Sequence, residues 1–208
     1  MSAPYENPTY SKSRLLRRLF SCSGKFVGLR ALPHALRSTR SALERKAFGR
    51  HPEMPFIPYF AIDALDRLVK PEYRIVEIGA GMSTLWLAER AALVQSYEWD
   101  EGWYSLLSAE LEKRKASNVI LRRCRGHEFM GFTDIVDGSV DLAFIDGGPR
   151  SLCLFNLWAK VKKGGSLYLD NWDSDLFWTE GGLDARDFLA ERAAEIAKKT
   201  LFVDFVPA

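Results

Sequence analysis

Four apolar runs of this sequence end in a carboxylate, and a carboxylate can accept hydrogen bonds from a sugar diol, balance a cationic ligand or move a proton. The four are Glu77, Glu98, Asp146 and Asp170, and Asn171 follows directly after the last of them. One such residue could be chance, since Asp and Asn favour turns. Four such residues indicate a shared site rather than a solvated surface.

A turn of small residues follows Glu77 and leads into a helix-forming stretch. Gly79 and Gly81 lack a Cβ, so the backbone can turn tightly and approach a ligand closely. The N–H groups at the start of a helix here would favour an anion. An ordinary strand-to-helix turn also needs glycine, so this turn alone carries little weight. A nicotinamide cofactor is the weaker alternative, because a dinucleotide fingerprint needs a third glycine where Thr84 stands.

Bringing these residues to one edge requires parallel strands, and the sequence alternates helix and strand patterns from residue 59 onward. Such alternation predicts an α/β fold, with a doubly wound and mostly parallel sheet covered on both faces. Ligands bind such sheets beyond the carboxyl ends of the strands, near the point where the strand order reverses. The predicted strands are 74–79, 92–99, 118–124, 140–147, 164–171 and 200–206. The predicted helices are 34–50, 59–70, 83–91, 102–115, 151–161 and 183–199, with a short one within 127–136.

Four segments resemble, in order, the signature segments of class I S-adenosylmethionine-dependent methyltransferases. They are VEIGAGMSTLWLAER (76–90), QSYEWDEGWYSLL (95–107), DLAFIDGGPRSLC (141–153) and VKKGGSLYLDN (161–171). The resemblance is greatest to a bacterial branch with G-x-G-x-S-T-L-W, D-G-x-x-R-x-x-C and L-D-N segments. It runs from about residue 55 to residue 206, and it implies a Rossmann-like sheet and S-adenosylmethionine as the cofactor.

The resemblance implies a set of cofactor-binding residues. These are Glu77, Gly79, Ala80, Gly81, Ser83, Thr84, Glu98, Trp99, Gly126, His127 and Asp146. Glu77 and the glycine turn would line the methionine end of the cofactor, and a hydroxyl at the helix start would hold its carboxylate. Glu98 would hold the ribose, and the loop around His127 would lie near the adenine. Asp146 would sit beside the sulfonium, at the mouth of the acceptor site.

Methyl transfer to oxygen or nitrogen also needs a group that takes a proton from the acceptor. Asp146 and His127 are the catalytic candidates, although a single loop histidine is more often incidental. The alternative is Mg²⁺ held by Asp146, Asp170 and Asn171, which resemble the ligands of the catechol and caffeoyl-CoA type of O-methyltransferase. Such an ion could acidify an acceptor hydroxyl. We favour the metal-free interpretation, in which Asp170 and Asn171 cap a loop, because the sequence departs from the metal-dependent branch elsewhere.

Three further features near the strand ends are open to two interpretations each. Arg150 either binds an anionic acceptor or pairs with Asp146 or Asp173. Cys153 is either reactive or, as its apolar helix face favours, buried. The aromatic residues of the segment 170–182 form either a lid over the acceptor or a prop under the last helix.

The resemblance favours an enzyme that methylates oxygen or nitrogen of a small-molecule acceptor, such as a saccharide or another metabolite. The alternative is a catalytically silent domain that uses the fold for binding or scaffolding. The sequence ends where strand seven of the class would begin, so we expect a sheet that is smaller or truncated. We expect the open edge beside residues 200–206 to be either closed locally or filled by a second copy of the chain in a homodimer. Nucleic acid is disfavoured as the acceptor, because residues 51–208 are net acidic and no [ND]-P-P-[YF] motif follows residues 140–147.

Charge divides the chain into two regions. The net charge of +2 combines +9 in residues 1–50 with −7 in residues 51–208, which predicts a basic arm followed by the methyltransferase-like domain. Residues 11–50 would pack on the acidic domain, which we favour, engage an anionic membrane surface or nucleic acid, or serve as an organelle transit peptide. Three scattered cysteines show neither a disulfide framework nor a zinc spacing, which predicts a cytoplasmic protein, membrane-peripheral at most.

Overall fold

The computed structural model describes residues 26, 28–49, 52–124, 131–172, 184–202 and 206–207. The chain forms two compact units, one made of Met1–Arg67 with Thr200–Ala208 and the other of Leu68–Lys199. All four carboxylates that end apolar runs belong to the second unit, which therefore holds the candidate site. The domain boundary at residue 50 stays a prediction.

The first unit contains two helices that the sequence predicts. Helix α1 (Leu32–Phe48) follows a short 3₁₀ turn at Leu29–Ala31, and helix α2 spans Tyr59–Leu68. Gly49 ends α1 with a φ of +63°, a left-handed conformation that glycine adopts without strain. No helix within the described ranges has the length and apolarity needed to cross a bilayer.

A five-stranded parallel sheet forms the middle of the second unit. Its strands are β1 (Arg74–Ile78), β2 (Leu93–Glu98), β3 (Val119–Arg123), β4 (Val140–Ile145) and β5 (Val161–Leu169). They pair in the order β3-β2-β1-β4-β5, and every neighbouring pair is parallel. Strand β4 is buried along its whole length, as expected for a strand covered on both faces. The predicted α/β class is confirmed.

Helices cover the two faces of this sheet because successive strand residues point to opposite sides. The helices are α3 (Met82–Ala88), α4 (Glu101–Arg114), α5 (Arg150–Trp158) and α6 (Ala185–Glu191). On one face, Val76 and Ile78 share an apolar cluster with residues of α5 and α6. On the other, Leu85 of α3 and Leu107 of α4 share a cluster with Leu121 of β3.

Strand order reverses between β1 and β4, which makes their carboxyl ends the expected ligand site. The register places Glu77 of β1 opposite Ser96 of β2. The Asp146 N–H donates to the Ile78 carbonyl at 2.9 Å, so the turn after β4 starts level with the turn after β1. The sheet thus brings the predicted strand-end residues together.

Two predicted helices differ from the observed structure. Residues 131–136, the described part of the segment 127–136, form turns, and Phe132 has a φ of +35° that no α-helix accommodates. The helix predicted over 183–199 is shorter, because α6 ends at Glu191 and a 3₁₀ turn follows. Only Ala185 and Phe188 of α6 are buried, and packing of an apolar face is what stabilises a helix in a protein.

The sixth strand predicted over 200–206 is wrong in the part of that segment that the structure describes. Residues 200–202 and 206 have no strand conformation, while 203–205 lie outside the described residues. An alternating apolar pattern needs cover to form a strand, and Leu201 is exposed instead. Strand β5 is the edge strand of the described sheet on this side. A homodimer through this edge stays a prediction.

Candidate functional site

The turns after β1 and β4 touch each other where the strand order reverses. Gly79 has a φ of +90°, and a Cβ built on it would lie 3.0 Å from the Cα of Gly147. A Cβ on Gly147 would lie 2.7 Å from ring carbons of Trp99 and 2.8 Å from the Gly79 Cα. At Gly81, by contrast, an added Cβ would meet nothing within 4 Å. Two glycine backbones and an indole ring therefore form one wall, with open space beside it at Gly81.

We expect Gly147→Ala to lower the free energy of unfolding by about 1–3 kcal/mol, because the new methyl group overpacks this wall. Urea unfolding measures the effect. Gly81→Ala is the matched control, since that position has an extended φ of −177° and space for a methyl group. Equal stability of the two variants would contradict the close approach of the two turns.

Glu77 is fully buried beneath the start of α3, and three hydroxyl groups donate to its carboxylate. Ser83 donates at 2.5 Å, Thr84 at 2.6 Å and Ser96 of β2 at 2.5 Å. Thr84 Oγ1 also accepts the Gly81 N–H at 3.0 Å. The carboxylate thus fixes the beginning of α3, and with it the glycine turn, to the sheet.

Burial raises the pKa of Glu77 to about 7, against the opposing effect of the three hydroxyl donors. Because the hydroxyls of Ser83 and Thr84 point to Glu77, a ligand carboxylate at this helix start would have to use backbone N–H groups. The roles that the resemblance implies for these residues stay predictions. Their geometry shows Glu77 as the group that positions the turn.

Glu98 ends β2 with a carboxylate that is held by backbone groups. Its Oε1 accepts the N–H of Trp99 at 2.9 Å and of Asp100 at 2.7 Å, and the Ala80 N–H donates to the same side chain. Burial raises its pKa, and these N–H donors act in the opposite direction. Since a carboxylate can accept about four hydrogen bonds, capacity for a ligand hydroxyl remains. The carboxylate of Glu98, which is predicted to bind the ribose, is therefore held in a fixed position beside the glycine turn.

A partly buried charge cluster lies at the ends of β4 and β5. Asp146 and Asp170 are hydrogen-bonded to each other, and burial followed by the charge of Asp170 raises the pKa of Asp146 well above its ordinary value. The Arg150 Nη2 donates to Asn171 Oδ1 at 2.7 Å and to the Asp146 carbonyl at 3.2 Å. It also lies 3.7 Å from Asp146 Oδ1. The predicted pairing of Arg150 with Asp146 is confirmed.

Tyr168 extends this cluster below Asp170. Its hydroxyl donates to Asp170 Oδ1 at 2.9 Å, and its ring stacks on Phe144 at 5.0 Å between centroids. Burial, followed by the negative charge of Asp170, raises the pKa of the Tyr168 hydroxyl, so this group stays a hydrogen-bond donor. The tyrosine fixes Asp170 and through it the orientation of Asp146.

The residues predicted as metal ligands meet, but they fit a divalent metal poorly. The guanidinium of Arg150 already supplies positive charge between Asp146 and Asn171, and a second cation there would be repelled. The oxygens of Asp146 and Asn171 contact the Arg150 guanidinium, which is therefore the cation of this site.

Some predicted site residues lie outside the described residues, namely Gly126, His127, Asp173 and the aromatic segment from residue 173 onward. Cys153 is fully buried, which confirms that prediction, and the thiols of Cys124 and Cys153 form no disulfide. The sequence reasoning missed Ser96 and Tyr168 as site residues. A serine inside the apolar strand β2, and in register with Glu77, was the signal that could have revealed the first of them.

Comparisons with known proteins support the fold. No family model and no curated protein matches the sequence. A solved structure of a protein from Corynebacterium glutamicum is 18% identical, with a TM-score of 0.51, and the match covers 80% of this chain and 83% of that one. A precorrin-6y C5,15-methyltransferase from Geobacter metallireducens is 21% identical, with a TM-score of 0.49 and coverage of 63% and 69%.

A tRNA (m1A58) methyltransferase from Aquifex aeolicus is also 21% identical, with a TM-score of 0.45 and coverage of 57% and 45%. The chain spans about half or less of the length of several structures that it matches. These likenesses concern the fold. The chain has the Rossmann-like α/β fold that its sequence predicts, and the Corynebacterium glutamicum protein shares that fold.

Proposed function

We propose that this protein transfers a methyl group from S-adenosylmethionine to oxygen or nitrogen of a small-molecule acceptor. The observation that carries the proposal is the convergence of Glu98, Asp146 and the Gly79–Gly147 wall where the strand order reverses. Ligands of doubly wound sheets bind at this place. The acidic charge of residues 51–208 favours a small molecule over nucleic acid as the acceptor.

The residues present fit the proposed cofactor by their chemistry. Glu98 offers a fixed acceptor for ribose hydroxyls, and Asp146 offers negative charge for a cationic sulfur or an ammonium group. The open space at Gly81 leaves room for a ligand beside the turn. S-adenosylmethionine, when bound, supplies the methyl group and the cationic sulfur that carries it.

The chain's own residues would orient the acceptor and handle its proton. Asp146 is the better described of the two catalytic candidates, because its raised pKa makes it a stronger base than an ordinary aspartate. Arg150 balances the charge of the Asp146 and Asp170 pair and so takes the place that a metal would fill in a metal-dependent site. His127 stays the second candidate for the proton.

Calorimetry with S-adenosylhomocysteine and S-adenosylmethionine tests the proposal. We expect Glu98→Ala to weaken binding of either compound by roughly a hundredfold, because hydrogen bonds from the ribose to a buried carboxylate would be lost. Glu112→Ala is the matched control, since this glutamate lies exposed on α4 and should leave the affinity unchanged.

Absence of binding heat and of a thermal shift in the folded wild-type protein would overturn the proposal. If the protein binds S-adenosylmethionine but forms no S-adenosylhomocysteine when small-molecule extracts are added, a catalytically silent domain is favoured instead. Added Mg²⁺ should leave both the affinity and the melting temperature of the wild-type protein unchanged, because Arg150 already neutralises the acidic pair.

A further inference from the structure

Helix α1 turns its polar side toward the protein. His34, Ser38 and Ser41 are buried, and they lie within about 60° of one another on the helix at 100° per residue. The imidazole of His34 packs edge-on against Phe60 of α2 at 4.6 Å between ring centroids and lies 3.9 Å from an oxygen of Asp63. The inner face of α1 is thus made of small and polar side chains, of which His34 contacts α2.

The opposite side of α1 exposes leucines. Leu32, Leu36 and Leu43 are 46%, 75% and 62% exposed, and these positions fall within about 40° of one another. Leu29, in the 3₁₀ turn before α1, is 76% exposed. We name Leu29, Leu32, Leu36 and Leu43 the leucine stripe. A surface helix ordinarily faces its apolar stripe toward the core, so this inversion indicates that something other than the described residues covers the leucines.

Positive charge surrounds the leucine stripe. Residues 29–48 contain five Lys and Arg residues and one acidic residue, Glu44. At 100° per residue, Arg40 and Arg37 fall about 60–120° to one side of the middle of the stripe, and Lys46 about 60° to the other. The sequence from residue 11 to residue 28 adds five more Lys and Arg and no acidic residue. Exposed leucines flanked by cations are the composition of a helix that lies flat in an anionic lipid interface.

We propose that α1 docks the protein onto a membrane surface that contains anionic phospholipids. The leucine stripe enters the boundary between headgroups and acyl chains, and Arg40 and Lys46 contact phosphate and carboxylate groups beside it. A second copy of this chain would bring two cationic stripes together, and like charges would oppose that contact. Charge therefore favours an anionic lipid surface over self-association. The surface belongs to the first unit and does not depend on the proposed methyl transfer.

Co-sedimentation of the full-length chain with vesicles tests this docking. We expect binding to vesicles of phosphatidylcholine mixed with phosphatidylserine, and little to phosphatidylcholine alone. Leu36→Ser should lower the partition coefficient about tenfold, because the variant lacks a leucine side chain that would be buried in lipid on docking. Leu106→Ser is the matched control, since Leu106 is 48% exposed on a helix of the other unit and should not affect partitioning. Arg40→Gln with Lys46→Gln should weaken binding to the anionic vesicles by about tenfold or more, at roughly fivefold for each cation.

Each other outcome would overturn the proposal. Equal binding to neutral and anionic vesicles would show that the cations do not contribute to docking. Absence of sedimentation with either kind of vesicle would show that α1 does not dock onto a membrane. If light scattering shows a dimer that Leu36→Ser converts to a monomer, the stripe is an interface between two copies instead. Urea unfolding of the serine variants verifies that they fold, because substitutions at exposed positions should change stability little.

Discussion

Replacing Glu77 with leucine is expected to lower the free energy of unfolding by on the order of 3–5 kcal/mol. The substitution leaves the buried hydroxyls of Ser83, Thr84 and Ser96 without their shared acceptor, and each lost partner costs about 1–3 kcal/mol. These costs are not fully additive, because the hydroxyls can rotate toward other acceptors. The start of α3 would loosen with them, so we also expect a weaker affinity for the proposed cofactor.

Glu77→Gln is the conservative comparison, because an amide oxygen can still accept from at least one of the three hydroxyls. The pKa of Glu77 is raised in the folded state to about 7 from an ordinary value of 4.5. The folded protein therefore binds more protons than the unfolded chain between these pH values, and its stability falls as the pH rises through this window. The stability of the wild type relative to Glu77→Gln should fall by on the order of 3 kcal/mol from pH 4.5 to pH 8.

Urea unfolding of the three proteins at several pH values measures both effects. Comparing wild type with Glu77→Gln at each pH removes the shared part of the contributions of Glu98 and Asp146, whose pKa values are also raised. The charge of Glu77 adds to the raised pKa of Asp146, so the measured difference includes this coupling. A difference between wild type and Glu77→Gln that does not change with pH would contradict the raised pKa. A Glu77→Leu variant as stable as Glu77→Gln would show that the hydroxyls do not depend on this carboxylate.

The sequence predicted most of the sheet because its strands are short apolar runs bounded by turn residues. Strands β1 to β4 begin and end within two residues of the predicted limits. Strand β5 begins at Val161 rather than residue 164, where two lysines and a glycine with a φ of +79° interrupt the apolar pattern. The segment 200–206 has a strand pattern, but periodicity does not reveal whether a neighbouring strand is available to pair with it.

The sequence predicted where the candidate site lies but not which side chains contact one another within it. The rule that parallel strands present their carboxyl ends at one edge is enough to bring Glu98, Asp146 and Asp170 together. It does not reveal that the hydroxyls of Ser83 and Thr84 turn inward to Glu77, because that contact depends on how α3 packs on the sheet. For the same reason, the sequence does not reveal that Leu36 and Leu43 of α1 face outward.

Replacing Arg150 with methionine is expected to lower the free energy of unfolding by about 1–3 kcal/mol at neutral pH. The guanidinium is the cation beside the partly buried pair of Asp146 and Asp170, and its removal leaves their negative charge without this partner. Asn171 also loses the donor that contacts its side-chain oxygen at 2.7 Å. Methionine fills a similar volume, so loss of packing contributes little to the effect.

The loss of stability caused by Arg150→Met should grow as the pH rises. Arg150 lowers the pKa of Asp146, against burial and the charge of Asp170, which raise it. Without the guanidinium the pKa in the folded state rises further, while the value in the unfolded chain stays ordinary. A carboxyl whose pKa is raised in the folded state makes the protein less stable as the pH rises. The difference between wild type and variant should therefore be smallest in acid and grow toward alkaline pH.

Urea unfolding of wild type and Arg150→Met across the pH range measures this dependence. Arg122→Met is the matched control, because Arg122 contacts the carboxylate of Asp134 at 2.9 Å in a more exposed ion pair, which is worth less than about 1 kcal/mol. If Arg150→Met costs no more than this control, or costs the same at every pH, Arg150 does not compensate the acidic pair. A gain of Mg²⁺ affinity by Arg150→Met, absent from the wild type, would in contrast identify the guanidinium as the group that excludes a metal from Asp146, Asp170 and Asn171.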